Sequence, residues 1–134
     1  MIKLIVGTKG TGKTKTLIDM ARKAAEESKG NVVCVEKGDK LAHELPNAVR
    51  LVNSEEYDIR GFANLYGFLA GFLAGNYDIT ELFIDGILKV VDHDMEQATK
   101  VLAEIDKITA NNVEVVVTVS ANVEDLPEGI KKYL

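Results

Sequence analysis

The residues whose types and spacing most plainly suit chemistry form one run near the start of the chain: Gly7, Thr8, Lys9, Gly10, Thr11, Gly12, Lys13 and Thr14. The run fits G-x-x-x-x-G-K-[ST] throughout, which at average residue frequencies happens by chance in about one chain of this length in a hundred. Glycines at 7, 10 and 12 free the backbone for torsions that side chains block, so that successive N–H groups turn toward one centre. A helix beginning just after the run adds the positive end of its dipole. Lys13 supplies a point charge, and the Thr14 hydroxyl supplies an oxygen for a hard cation such as Mg2+. The expected chemistry is polyphosphate binding, with residues 7–14 and the adjoining Lys15 as contacts.

Such a loop needs a strand before it and a helix after it, and the flanking sequence predicts both. Ile2–Val6 is an apolar run broken only by Lys3, the pattern of a buried parallel strand. Residues 13–28 place Leu17, Ala21, Ala24 and Ala25 on one face and charged residues on the other, an amphipathic helix closed by Gly30 and Asn31. Further strands are expected at 32–36, 48–52, 82–88 (interrupted by Asp85 and Gly86) and 113–119. The stretch 37–47 reads as a loop or short helix.

A second helix is expected over 58–75, where Phe62, Leu65, Leu69, Phe72 and Leu73 recur at helical spacing. A third is expected over 92–110, with Met95, Ala98, Leu102, Ile105 and Ile108 as its stripe and Asn111–Asn112 as its end. The glycines at 61, 67, 71 and 75 permit a close approach to the second helix. Packing on the strands is the first expectation, and a contact between copies of the chain the second. Alternating strands and helices predict an α/β fold: one domain over residues 1–134, with a parallel sheet of about five strands and helices on both faces.

The glycine-rich run, together with Leu82-Phe83-Ile84-Asp85, resembles the Walker A and Walker B motifs of the P-loop nucleoside triphosphatase superfamily. The resemblance implies that ATP and Mg2+ are bound, with Thr14 and Asp85 at the metal. It also implies one strand between the two motif strands, as in the recombinase-like branch. Many members of that branch carry a glutamate directly after the aspartate, where this chain has Gly86. Water must then be oriented by another group, and Glu36, at the end of the second strand, is the best substitute beside Lys13 as a catalytic residue.

Other candidates read mainly as structure. Asp92, Asp94 and Glu96 sit at a helix start, where negative charge is expected anyway. His43 and His93 read as solvated. Ser120, leaving the last strand, stands where many relatives sense the terminal phosphate. Arginines are few (Arg22, Arg50 and Arg60), so Lys37, Lys40 or a neighbouring subunit must supply further positive charge. An N-K-x-D motif for guanine is absent, which leaves adenine by elimination.

Composition sets outer bounds. The chain has 134 residues, 46% hydrophobic and 28% charged, ordinary values for a globular protein that buries roughly two-thirds of its unfolded surface. Sixteen basic against 21 acidic residues give a net charge of −5, which disfavours non-specific nucleic-acid binding. One cysteine, Cys34, within an apolar run reads as packing and suits a reducing compartment. The short apolar stretch before Gly7 lacks a signal-peptide core, and 61–77, though uncharged, is too rich in glycine to span a membrane. A cytoplasmic protein without a membrane contact is expected. Two functions stand open: a Mg2+-dependent ATPase or small-molecule phosphotransferase with weak intrinsic activity, and a nucleotide-binding switch or adaptor working through a protein partner or a homo-oligomer.

Overall fold

Valine and isoleucine runs too short for helices become the strands of one sheet, and longer amphipathic segments cover it. A computed structural model describes residues 1–109 and 112–134. The strands are β1 (Ile2–Gly7), β2 (Asn31–Glu36), β3 (Val49–Asn53), β4 (Ile79–Asp85) and β5 (Glu114–Ser120). The helices are α1 (Lys13–Glu27), α2 (Gly61–Ala74), α3 (Ile87–Val90), α4 (Met95–Thr109) and α5 (Glu128–Lys131), with 3-10 turns at Ser54–Tyr57 and Val123–Asp125. The strand order is β1-β5-β4-β2-β3 and every pairing is parallel. One strand, β5, thus separates β1 from β4.

Each face of the sheet carries its own core, so the architecture is a three-layer α/β fold. On one face Val32, Cys34, Phe83 and Val116 meet Leu17, Ile18 and Ala21 of α1. On the other, Val33, Val35, Leu82, Ile84, Val115 and Val117 meet Leu65 and Leu69 of α2 and Ala98, Val101, Leu102 and Ile105 of α4. Ile130 of α5 closes that side. No helix among the described residues is long and apolar enough to cross a membrane.

Residues 37–48 join two parallel neighbours, β2 and β3, by turns alone, without a crossover helix. Buried Leu41 takes the place of helix side chains, plugging into the core beside α1. Arg22 of α1 ties the loop down, donating from Nε to the Glu44 carbonyl at 3.0 Å.

Several boundaries differ from the sequence pattern for local reasons. The 82–88 run divides at Gly86, whose φ of 70° ends β4 at Asp85, and Ile87 and Leu88 enter the core on α3 instead of on a strand. The second helix begins at Gly61 and not at Asp58, because both residues take left-handed torsions, with φ of 80° and 52°. The third begins at Met95: Asp92 and His93 also have positive φ, and Asp94 caps the helix by accepting from the Gln97 N–H at 3.1 Å. Ile108, expected in the buried stripe, is 40% exposed, while Thr109 is buried with its hydroxyl bonded to the Ile105 carbonyl. The expected end of that helix at Ala110 and Asn111 lies outside the described residues.

The packing expected of the glycines on the strands does not occur at Gly67 and Gly71. Both are exposed, and a Cβ at either would meet no heavy atom within 4 Å. Leu65 and Leu69 face the core instead, which turns the glycines to the opposite side of the helix.

Candidate functional site

The carboxyl ends of the strands bring the sequence candidates to one edge. Gly7 ends β1, Ser120 ends β5, Asp85 ends β4 and Glu36 ends β2. Ser120 is in register with Gly7, and Glu36 with Asp85. In a parallel sheet, residues in register point to the same face, so the two carboxylates share the α1 side with Cys34 and Phe83.

Between β1 and α1 the chain folds into a tight loop. Gly10 and Gly12 have φ of 84° and 86°, torsions that side chains resist. Gly7 is favoured for a different reason: a Cβ there would fall 2.5 Å from the Thr11 hydroxyl, which would have to turn away. Two donors converge on one oxygen inside the loop, since both the Thr11 hydroxyl (2.7 Å) and the Lys13 ammonium (2.8 Å) donate to the Thr8 carbonyl. Lys13 is buried with its charge folded into the loop, whereas Thr8, Lys9, Thr14 and Lys15 are exposed.

Helix α1 opposes the usual electrostatic pattern. It has no side-chain cap and no acid in its first turn, and begins Lys13-Thr14-Lys15-Thr16. Its last turn holds Glu26 and Glu27 and no base. Cations at the positive end and anions at the negative end of the dipole each cost about 0.3–1 kcal/mol at an exposed site. By contrast, α4 has Asp94 at its cap and Glu96 in its first turn. Free N–H groups and lysines at the start of α1 suit an exogenous anion and serve stability poorly.

Asp85 is positioned by a residue that the sequence pattern did not single out. Thr118, buried on β5, donates its hydroxyl to Asp85 Oδ1 at 2.8 Å and accepts from the Gly86 N–H at 2.7 Å. Its one visible signal is a hydroxyl in the otherwise apolar run Val115-Val116-Val117-Thr118-Val119. On the other side, the Thr14 hydroxyl lies 3.4 Å from both Asp85 oxygens. Oxygens this close can face one small cation. Among the described residues no three His, Cys, Asp or Glu side chains gather as a metal-binding group. A cation held here would therefore take most of its ligands from elsewhere, as Mg2+ does when it binds through phosphate and water.

Glu36 is buried, and its Oε2 accepts from the Leu41 N–H at 2.8 Å. Burial is the main cause that pushes its carboxyl above the ordinary value, against the lowering effect of that hydrogen bond, and the nearby Asp85 charge adds to the rise. Burial likewise pushes the Cys34 thiol up, with Asp85 and Glu36 contributing, which leaves it an inert core group.

The remaining candidates fall outside this cluster. His43 and His93 are exposed. Asp94 serves its helix: its bonds from the Gln97 backbone and side chain hold its carboxyl below the usual range. Asp92 lies 4.0 Å from Arg60, both in solvent. Arg22 is engaged with Glu44. No family model matches the chain, and no curated protein matches it.

Proposed function

We propose that the chain binds a Mg2+–nucleoside triphosphate, with ATP as the ligand, in the manner of a P-loop nucleoside triphosphatase. The observation that carries this reading is the loop itself: left-handed glycines, a buried lysine and an uncapped, cation-bearing helix start, with Thr14 facing the carboxylate of Asp85. Loop amides and Lys13 would hold the phosphates, with Lys9 and Lys15 flanking them, and Thr14 and Asp85 would hold the metal. Mg2+ would supply charge neutralisation between phosphate oxygens. Glu36, beside Asp85 on the same edge, is the group proposed to orient the nucleophile in a cytoplasmic ATPase or small-molecule phosphotransferase.

Gly86 favours a second reading. It leaves no carboxylate directly after Asp85, and Glu36 has one oxygen already committed to Leu41. On this reading the chain is a nucleotide-dependent switch or adaptor, and a protein partner or a second copy supplies the missing charge.

Calorimetric titration with ATP and Mg2+ tests the shared premise. Lys13→Ala removes a charged donor from the loop and is expected to weaken binding by about tenfold or more. Unchanged affinity in a variant that still melts cooperatively would remove the site. Phosphate release by the protein alone, reduced in Glu36→Gln, would select the enzyme; ATP binding without release would select the switch.

A further inference from the structure

Beside the glycine loop, the same sheet edge holds a cavity of about 370 Å³, and none of residues 7–14 lines it. Its position follows from topology. The chain leaves β2 toward β3 at one side of the sheet, on the α1 face, and leaves β4 toward β5 at the other side through α3 and α4, on the opposite face. Strands β2 and β4 are neighbours, so their onward connections diverge, and a crevice opens outside their carboxyl ends. Residues just beyond those ends line it: Lys37 follows Glu36, Ser54 follows β3, and Lys89 lies on α3. The Lys89 stem runs back over Gly86, since a Cβ at Gly86 would lie 3.4 Å from Lys89 Cδ.

The charge of this cavity runs against that of the molecule. In a chain of net charge −5, Lys37, Arg60 and Lys89 line it against two carboxylates, Glu55 and Asp58. Among the described residues neither lysine is ion-paired, and the one partner of Arg60, Asp92, stands at 4.0 Å. Three cations against two carboxylates leave the concavity with a surplus of positive charge, which an anion seated beside the two unpaired lysines would balance. Ser54 is buried at the wall of the cavity, and its hydroxyl type suits a hydrogen bond to an oxygen-rich ligand. The volume lies at the small end of the range for small-molecule sites.

We infer that this cavity is a binding site for a small organic anion carrying a carboxylate or phosphate group, held by Lys37, Arg60 and Lys89. Because the cavity opens at the same sheet edge where β2 and β4 end, that anion would be the co-substrate or effector of the nucleotide site, a role that rests on the function proposed above; the binding itself does not.

The test is amide NMR on the 15N-labelled full chain without nucleotide, titrated with inorganic phosphate and separately with citrate. Saturable shifts are expected around 37–38, 54–60 and 89, in wild type and in Lys13→Ala alike. Lys37→Ala combined with Lys89→Ala removes two exposed cations without touching the core, and is expected to weaken that response by about tenfold or more. Shifts confined to residues 7–15, a double variant that responds as wild type does, or no saturable shift from either anion would overturn the proposal. The two readings fail separately. ATP affinity indifferent to Lys13→Ala would sink the nucleotide site while the cavity response stood, and loss of the cavity response alone would leave the nucleotide site in place.

Discussion

At the scale of single residues, the edge of the sheet concentrates groups whose arrangement costs stability. Glu36 is the clearest case, a buried carboxylate in register with Asp85. Its folded-state pKa is raised, so the folded state binds a proton more readily than the unfolded one. Its contribution is therefore fully present below the unfolded value of 4.5 and is lost as pH rises through the folded value. Glu36→Gln keeps an oxygen to accept from Leu41 while removing the charge. The variant is expected to melt a few degrees above wild type at pH 8, with the gap closing toward pH 4. Melts that differ equally at both pH values would show that the ionised carboxylate carries no such cost. A catalytic Glu36 predicts a second, opposite effect on phosphate release, so stability and activity would separate in one variant.

At the scale of elements, helices α1 and α2 show how differently two helices of similar length are used. The apolar stripe of α1 is fully buried at Leu17 and Ala21, and its first turn stays open to an anion. Helix α2 carries no charge, seats Leu65 and Leu69 in the core and presents Gly67 and Gly71 to open space. Glycine inside a helix costs roughly 0.5–1 kcal/mol relative to alanine. Gly67→Ala and Gly71→Ala should each stabilise the fold by about that amount, read by denaturant titration. A loss of stability at either position would mean that a second chain covers this face and needs the close approach.

At the scale of the whole molecule, the loop strand β1 lies at an edge of the sheet, bonded only to β5, while β4 and β5 are interior. Edge strands open more readily than buried ones, and exposed Lys3 and Arg50 guard the two edges against pairing with other chains. A ligand that binds only the folded loop stabilises that state by mass action. Mg2+–ATP is therefore expected to slow hydrogen exchange in residues 2–16 more than in β3 at the far edge. Equal protection at both edges would point to a ligand bound elsewhere.

Much of this organisation was legible in the chain itself. The glycine pattern at 7–14 marked the strand–loop–helix junction, because glycine takes the torsions at 10 and 12 without strain and leaves room for Thr11 beside position 7. Apolar runs marked part or all of each of the five strands, most fully β2 and β5, because a strand covered on both faces has almost no polar positions to spare; β4 begins at Ile79, three residues before its expected run. Apart from the strand between β1 and β4 and the pairing of Thr14 with Asp85, which the family resemblance implied, long-range geometry was not legible. Thr118 lies 33 residues from Asp85 and gains its role only when β5 pairs with β4. The exposure of Gly67 and Gly71 depended on which side of α2 met the core, and Ile108 lost its place to Thr109 at the end of α4. The cavity between Lys37 and Lys89 exists only because connections from adjacent strands diverge. Sequence alone determined the main strands, the three long helices and the glycine positions of the loop at 7–14, since those follow from torsional freedom and local periodicity. Tertiary structure decided which side chains face one another across the sheet edge, since that proximity arises only when distant segments share a packed core.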